Sequence, residues 1–228
     1  SNNKIIKLYT CGITVHDFCH IGHAKIFIFF DIMVRYLNKL NIKIIYIKNI
    51  TDIDDKIINK AIKNNKSLSF ITNKFIKKMH NDTKRLNIVE PSYEPKATSF
   101  INKMVQLISR LKDMFYAYEA KNSDIYYNTQ VFKSYGQLSK RYIQNINILK
   151  HEYKKNKADF TLWKNVKKNK KFFWTTDVGN GRPGWHTECA SMSLYYGNEK
   201  IDIHGGGENL VFPHHENELA QCEVITQS

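Results

Sequence analysis

Apolar and polar positions in the first ninety residues follow two different periods, and each change of period marks a predicted element. Residues 4–10 alternate in part and predict a short strand, whereas residues 24–40 carry apolar side chains on almost every face and predict a largely buried helix. The pattern then predicts a strand over residues 43–47, a polar helix over residues 52–64 with an acidic start, and a helix over residues 68–86 with one apolar stripe. This alternation of strands and helices predicts parallel strands in an α/β fold.

The pattern changes at Pro91 and Pro95, where an inserted module is predicted to begin. Apolar residues at helical spacing predict a helix over residues 97–116, and a hairpin is predicted over residues 120–127. Residues 150–171 hold nine lysines and few apolar residues. Their composition favours a mobile, solvated loop, with contact to RNA as the alternative.

The α/β pattern resumes near Gly181, with a helix predicted over residues 186–196 and a strand over residues 200–203. Residues 204–207 are glycine-rich and predict a flexible loop at the carboxyl end of that strand, where ligands bind in open α/β sheets. A last helix is predicted to start near residue 213. The predicted segments are therefore residues 1–90, an insertion over residues 91–180, and residues 181–228.

Composition narrows the classes of partner and compartment. The chain has 228 residues and a net charge of +14, which favours a polyanionic partner such as nucleic acid, although abundant Lys, Ile and Asn can also reflect the base composition of the gene. No apolar stretch is long enough to span a membrane. The four cysteines form no C-x-x-C pair, which favours a reducing, cytoplasmic compartment.

The run His20-Ile21-Gly22-His23 lies where the first predicted strand passes into a helix. Backbone N–H groups and the positive end of a helix attract phosphate there, Gly22 allows close approach, and two imidazoles can donate hydrogen bonds. The alternative interpretation is an ordinary helix start with two solvated histidines.

Four residues could ligate a metal ion. These are Cys11, Cys189, His214 and Glu218. His214 and Glu218 share one helix face, and Cys189 has the same spacing from Trp185. Cys11 follows the first strand. Thiolate, imidazole and carboxylate groups suit zinc. Because the residues are scattered along the chain, the cysteines could equally be small buried apolar residues and the His–Glu pair a surface pair.

Several motifs, in this order, resemble those of the cysteinyl-tRNA synthetases, a family of class I aminoacyl-tRNA synthetases. They are Cys11-Gly-Ile-Thr through His23, Asn49-Ile-Thr-Asp-Ile-Asp-Asp55, Gly181-Arg-Pro-Gly-Trp-His186 through Cys189, and His204-Gly-Gly-Gly207 through Glu218. The resemblance implies a Rossmann-type catalytic domain interrupted by a connective-peptide insertion.

The resemblance also implies a set of functional residues and cofactors. One zinc ion per chain would be held by Cys11, Cys189, His214 and Glu218, and Mg²⁺ would accompany ATP. The residues implied to bind cysteine are Gly12, Thr14, Asn49, Thr51 and Trp185. Those implied to act in catalysis at the phosphates of ATP are His20, Gly22 and His23. Those implied to bind the rest of ATP are Gly205, Gly206, Gly207 and Asn209.

The implied activity is ATP-dependent formation of cysteinyl-adenylate and transfer of cysteine to tRNA(Cys) by a monomeric protein. His16 and Asn209 stand where the family commonly has tyrosine and aspartate. The chain ends at Ser228, before any Lys-Met-Ser-Lys-Ser loop or anticodon-binding region, so we expect a fragment or a truncated relative with weak activity alone. The alternatives are a ligase that passes activated cysteine to a small amine, as in mycothiol biosynthesis, and an inactive cysteine- or zinc-binding relative.

Overall fold

The computed structural model describes residues 5–141, 152–167, 171–198 and 200–227. In chain order the elements are β1 (Ile6–Thr10), α1 (Ile21–Lys39), β2 (Ile44–Lys48), α2 (Asp55–Lys63), α3 (Leu68–Arg85), α4 (Ile101–Asp113), β3 (Ala117–Glu119), β4 (Ile125–Tyr127), β5 (Phe160–Asn165), β6 (Trp174–Thr176), β7 (Gly179–Pro183), α5 (Trp185–Gly197), β8 (Ile203–Gly205) and α6 (Glu216–Thr226).

The chain divides into two compact units. The first comprises Ser1–Ser99 and Tyr196–Gly207, and the second comprises Phe100–Tyr195 and Glu208–Ser228. The domain boundaries expected from the sequence, at residues 90 and 180, stay predictions.

The first unit contains a parallel sheet with strand order β2-β1-β8. Leu8 of β1 lies opposite Tyr46 of β2 and Ile203 of β8, and the helix α1 packs Phe30 and Val34 onto this part of the sheet. The predicted parallel α/β architecture is thus confirmed, because strand–helix–strand connections place β1 and β2 side by side in the same direction.

The prediction that the helix α1 is largely buried is wrong. Only Phe27, Phe30 and Val34 are buried, whereas Phe29 is 60% and Ile32 61% exposed. The helix packs one face on a three-stranded sheet, and its outer face is open within the described part of the chain. Apolar character on all faces therefore does not establish burial on all faces.

The second unit contains an antiparallel sheet with strand order β3-β4-β5-β7-β6. The predicted hairpin is present as β3 and β4. The interpretation of residues 150–171 as a solvated loop is wrong for residues 160–165, because β5 lies between β4 and β7 and fully buries Leu162 and Trp163. Residues 150, 151 and 168–170 lie outside the described residues.

The last parallel strand is displaced from its predicted position. Residues 203–205 form β8 because Ile203, His204 and Gly205 pair with β1, so the glycine-rich loop begins after Gly205. In the described residues no helix combines the length and apolar character needed to cross a bilayer.

Candidate functional site

Three of the four predicted metal ligands meet inside the second unit. Cys189 lies one turn into α5, His214 lies in the turn before α6, and Glu218 lies in the first turn of α6. One ligand atom from each residue lies within 4.8 Å of the others, and each residue is only 1% exposed. Chain segments that are distant in sequence thus converge on one buried point.

The electrostatics of this cluster favour a cation. His214 Nε2 lies 2.7 Å from Glu218 Oε1. Burial alone would lower the pKa of the His214 imidazole, but the Glu218 carboxylate and the Cys189 thiol raise it to about 10. The surroundings therefore stabilise positive charge, and sulfur, nitrogen and oxygen donors together suit a borderline metal such as zinc.

A further histidine contacts this cluster and was not assigned a role from the sequence. His186 Nδ1 lies 3.0 Å from His214 Nδ1, and burial together with the neighbouring His214 lowers the pKa of His186 to about 3. The His186 imidazole is thus neutral and can hold the His214 ring through Nδ1, as the partners of metal-ligating histidines commonly do. Its position three residues before Cys189 on α5 was the available signal.

Cys11 belongs to the first unit and follows β1 directly. Its N–H donates to Gly205 O at 2.9 Å, and its buried Sγ lies 3.6 Å from His204 Nε2. Its expected part in holding the metal stays a prediction.

The two histidines of the predicted phosphate motif cap the helix α1. His20 Nδ1 accepts the Gly22 N–H at 3.1 Å, His23 Nδ1 accepts the His20 N–H at 3.3 Å, and the two rings stack with centroids 3.8 Å apart. The Gly22 N–H is therefore occupied by the His20 ring. Because both Nδ1 atoms accept, each neutral ring carries its proton on Nε2, which is available to donate to a phosphate oxygen.

The pKa of His23 is lowered by burial and, to a smaller extent, by the neighbouring His20 and His16 imidazoles. His23 is therefore neutral near pH 7, and its contribution to a phosphate site is a hydrogen bond rather than a full charge.

Four residues predicted to surround cysteine lie together in the first unit. The Gly12 N–H donates to Asn49 Oδ1 at 2.8 Å, and Thr14 pairs with Thr51 as in a parallel sheet. Asn49 is 1% exposed, and its Nδ2 has no hydrogen-bond partner among the described residues. A buried donor without a partner is costly, so Nδ2 is suited to donate to a ligand.

The remaining predicted residues are divided between the units. Trp185 lies in the second unit, 40% exposed, with its ring stacked on His214 at 4.1 Å. Gly205 ends β8 in the first unit, and a Cβ there would meet the Phe30 ring at 2.6 Å, so the close packing of β8 on α1 requires glycine. Gly206 and Gly207 follow it, whereas Asn209 is exposed in a short turn of the second unit.

Comparison with known proteins gives a consistent result. The family of tRNA synthetases class I (C) catalytic domains matches residues 1–228. The chain is 49% identical over 226 residues to the cysteine–tRNA ligase of Buchnera aphidicola subsp. Baizongia pistaciae, covering 97% of this chain and 49% of that protein. It is 46% identical to the cysteine–tRNA ligase of Pseudomonas putida, covering 98% and 49%. The chain spans about half the length of the curated relatives it matches.

Among solved structures, the Mycobacterium tuberculosis methionyl-tRNA synthetase bound by methionyl-adenylate has a TM-score of 0.70 at 11% identity, covering 98% of this chain and 55% of that one. At this identity the similarity concerns the fold, which is compatible with the expected Rossmann-type catalytic domain.

Proposed function

The chain belongs to the family of class I (C) tRNA synthetase catalytic domains, and on that premise we propose that it activates L-cysteine with ATP and serves its transfer to tRNA(Cys). The observation that best supports this proposal is the buried cluster of Cys189, His214 and Glu218, because its donors suit a thiophilic metal. Cys11 completes the proposed set of ligands for one zinc ion per chain.

When bound, zinc would supply a Lewis acid that can bond the thiolate of cysteine, and the hydroxyl of serine does not form a bond of comparable strength. A specific strong contact that the competing substrate cannot make allows discrimination of about 10⁴ or more without an editing site. The protein's part is to hold the ligands in place, and the contact of His186 with the His214 ring supports that role.

In the proposed activation step, the carboxylate of cysteine attacks the α-phosphorus of Mg²⁺-bound ATP. The new carboxyl–phosphate bond forms as the bond between the α- and β-phosphates breaks, and pyrophosphate leaves with the electron pair. Nε2–H groups of His20 and His23 donate to phosphate oxygens, and Gly22 allows close approach. Catalysis thus relies on positioning and hydrogen bonding.

The remaining site residues implied by the resemblance are proposed to bind the two small substrates. Asn49 Nδ2 is suited to donate to the amino acid, beside Gly12, Thr14 and Thr51, and Trp185 contributes an aromatic face. For adenosine the proposed residues are Gly205, Gly206, Gly207 and Asn209. We also propose a monomer in the cytoplasm, a reducing compartment in which cysteines do not form disulfides.

Pyrophosphate exchange and zinc content test the proposal together. The zinc-loaded protein is expected to exchange pyrophosphate into ATP with cysteine and not with serine, and to contain one zinc per chain. Cys189→Ser is expected to lose zinc and the preference for cysteine. Equal affinities for cysteine and serine by calorimetry would contradict the proposal. Transfer of cysteine to a small amine but not to tRNA(Cys) would favour the alternative function, a ligase that uses a small amine as the acceptor of activated cysteine.

A further inference from the structure

Residues 49–51 of the first unit, which carry Asn49 and Thr51, are held along both edges by other parts of the chain. On one edge, the Thr51 N–H donates to Ile13 O at 3.2 Å and the Val15 N–H donates to Thr51 O at 3.2 Å. The Gly12 N–H adds its bond to Asn49 Oδ1. This edge therefore connects residues 49–51 to residues 12–15, which follow β1 and which we call the β1 extension.

On the other edge lie residues 93–98, which we call the flanking segment. The Lys48 N–H donates to Tyr93 O at 3.0 Å, the Ile50 N–H donates to Pro95 O at 2.8 Å, and the Ala97 N–H donates to Ile50 O at 3.0 Å. Successive backbone groups of a strand point to opposite edges, so residues 48 and 50 bond this segment whereas residue 51 bonds the β1 extension.

Two side-chain contacts fix the flanking segment at either end of residues 49–51. Before them, the buried Lys48 ammonium lies 2.9 Å from Glu94 Oε1, and the other Glu94 oxygen accepts from His80 Nε2 at 2.5 Å. After them, the buried Asp52 carboxylate accepts from both the N–H (2.8 Å) and the Oγ1 (2.6 Å) of Thr98.

We infer that the flanking segment positions Asn49 and Thr51 for the amino acid, and that Thr98 and Glu94 are its positioning residues. Neither is proposed to touch the substrate. Each acts through a residue that lies next to a binding residue in the sequence. The Thr98 hydroxyl fixes Asp52, directly after Thr51, and the Glu94 carboxylate fixes Lys48, directly before Asn49. This inference rests on the proposed function, because it assigns the segment to the same amino-acid site.

Hydrogen bonds to a charged partner are stronger than those between neutral groups. A shift of about 1 Å in a group that positions a substrate can lower the reaction rate about a hundredfold. Thr98→Val removes the hydroxyl but keeps the branched shape and the N–H. We expect it to weaken cysteine binding about tenfold. Thr98→Ser keeps a hydroxyl at the same place and should restore affinity to within about threefold of that of the unmodified protein.

Calorimetry of cysteine binding to the zinc-loaded protein, with melting temperatures measured in parallel, tests the inference. Thr72→Val is the matched control, since Thr72 is a buried threonine of the same unit whose hydroxyl, among the described residues, bonds Ser69 O within its own helix at 3.4 Å and no other group. In pyrophosphate exchange, Thr98→Val should raise KM for cysteine while leaving KM for ATP within about twofold.

Equal cysteine affinity of Thr98→Val and the unmodified protein would overturn the inference, as would an equal loss of affinity in Thr72→Val. If Thr98→Val does not fold, Glu94→Gln takes its place, with weaker cysteine binding expected and unchanged binding refuting the inference. Failure of the unmodified protein to bind cysteine would instead contradict the proposed function itself.

Discussion

Gly12→Ala is the substitution whose consequence follows most directly from the structure. A Cβ at residue 12 would lie 1.6 Å from the backbone oxygen of Asn49. Backbone cannot rotate away as a side chain can, so the β1 extension and residues 49–51 must separate by more than an ångström. This separation also moves the Gly12 N–H away from Asn49 Oδ1, to which it donates at 2.8 Å.

The cost can be worked out from the hydrogen bonds that cross this junction. These are the bond from the Gly12 N–H and the two backbone bonds that link Thr51 to Ile13 and Val15. At a net value of about 1 kcal/mol each, losing all three lowers the free energy of unfolding by about 3 kcal/mol. For a protein of this size that loss corresponds to a decrease in Tm of about 6–12 °C.

Thermal unfolding followed by circular dichroism measures this change, with Gly197→Ala as the control. A Cβ at residue 197 meets only side-chain atoms of Ile201, at 3.0 Å, and these can move. We expect its Tm to change by less than about 4 °C. Cysteine affinity should fall in Gly12→Ala and stay unchanged in the control. A Gly12→Ala protein with unchanged Tm and unchanged cysteine affinity would refute the reasoning.

Three further results are expected. Asp159→Ala should lower the free energy of unfolding by about 3 kcal/mol or more in urea titrations, because five hydrogen bonds to this buried carboxylate are lost, whereas Asp113→Ala at an exposed position should change it by less than about 0.5 kcal/mol. In NMR titrations the pKa of His23 should lie below 6.5 and rise part of the way back in His20→Asn, since burial and then the His20 imidazole lower it; an unchanged pKa would contradict this account. His186→Ala should weaken zinc binding about 10- to 100-fold in competition with a chelator, because it removes the partner of the imidazole proposed to ligate the metal. An unaltered zinc affinity would show that the contact between His186 and His214 contributes only to packing.

The elements of the first unit were well predicted wherever a local pattern determines them. The predicted bounds of β2 and α3 differ from the structure by about one residue, because alternation and helical spacing report which side of a segment faces an apolar environment. Predictions that depended on the neighbours of a segment were less successful. The helix α1 is exposed on one side, and the lysine-rich region contains the central strand β5.

The candidate site shows the same division. Sequence motifs identified Cys189, His214 and Glu218, and the structure brings these three together. The position of His186, three residues before Cys189, was a signal for its place near the cluster, but its contact with His214 is seen only in the structure. No local pattern indicated that Thr98 bonds the carboxylate beside Thr51.

The sequence by itself thus determined the residue types suited to each piece of chemistry and the period of each element, since both are properties of short stretches of chain. Only the tertiary structure decided which of these residues meet. The contact of Gly12 with Asn49 joins residues 37 positions apart, and the contact of Asp52 with Thr98 joins residues 46 apart. Such pairs form when strands align and pack, and hydrogen bonds at these distances depend on the whole arrangement rather than on either segment alone.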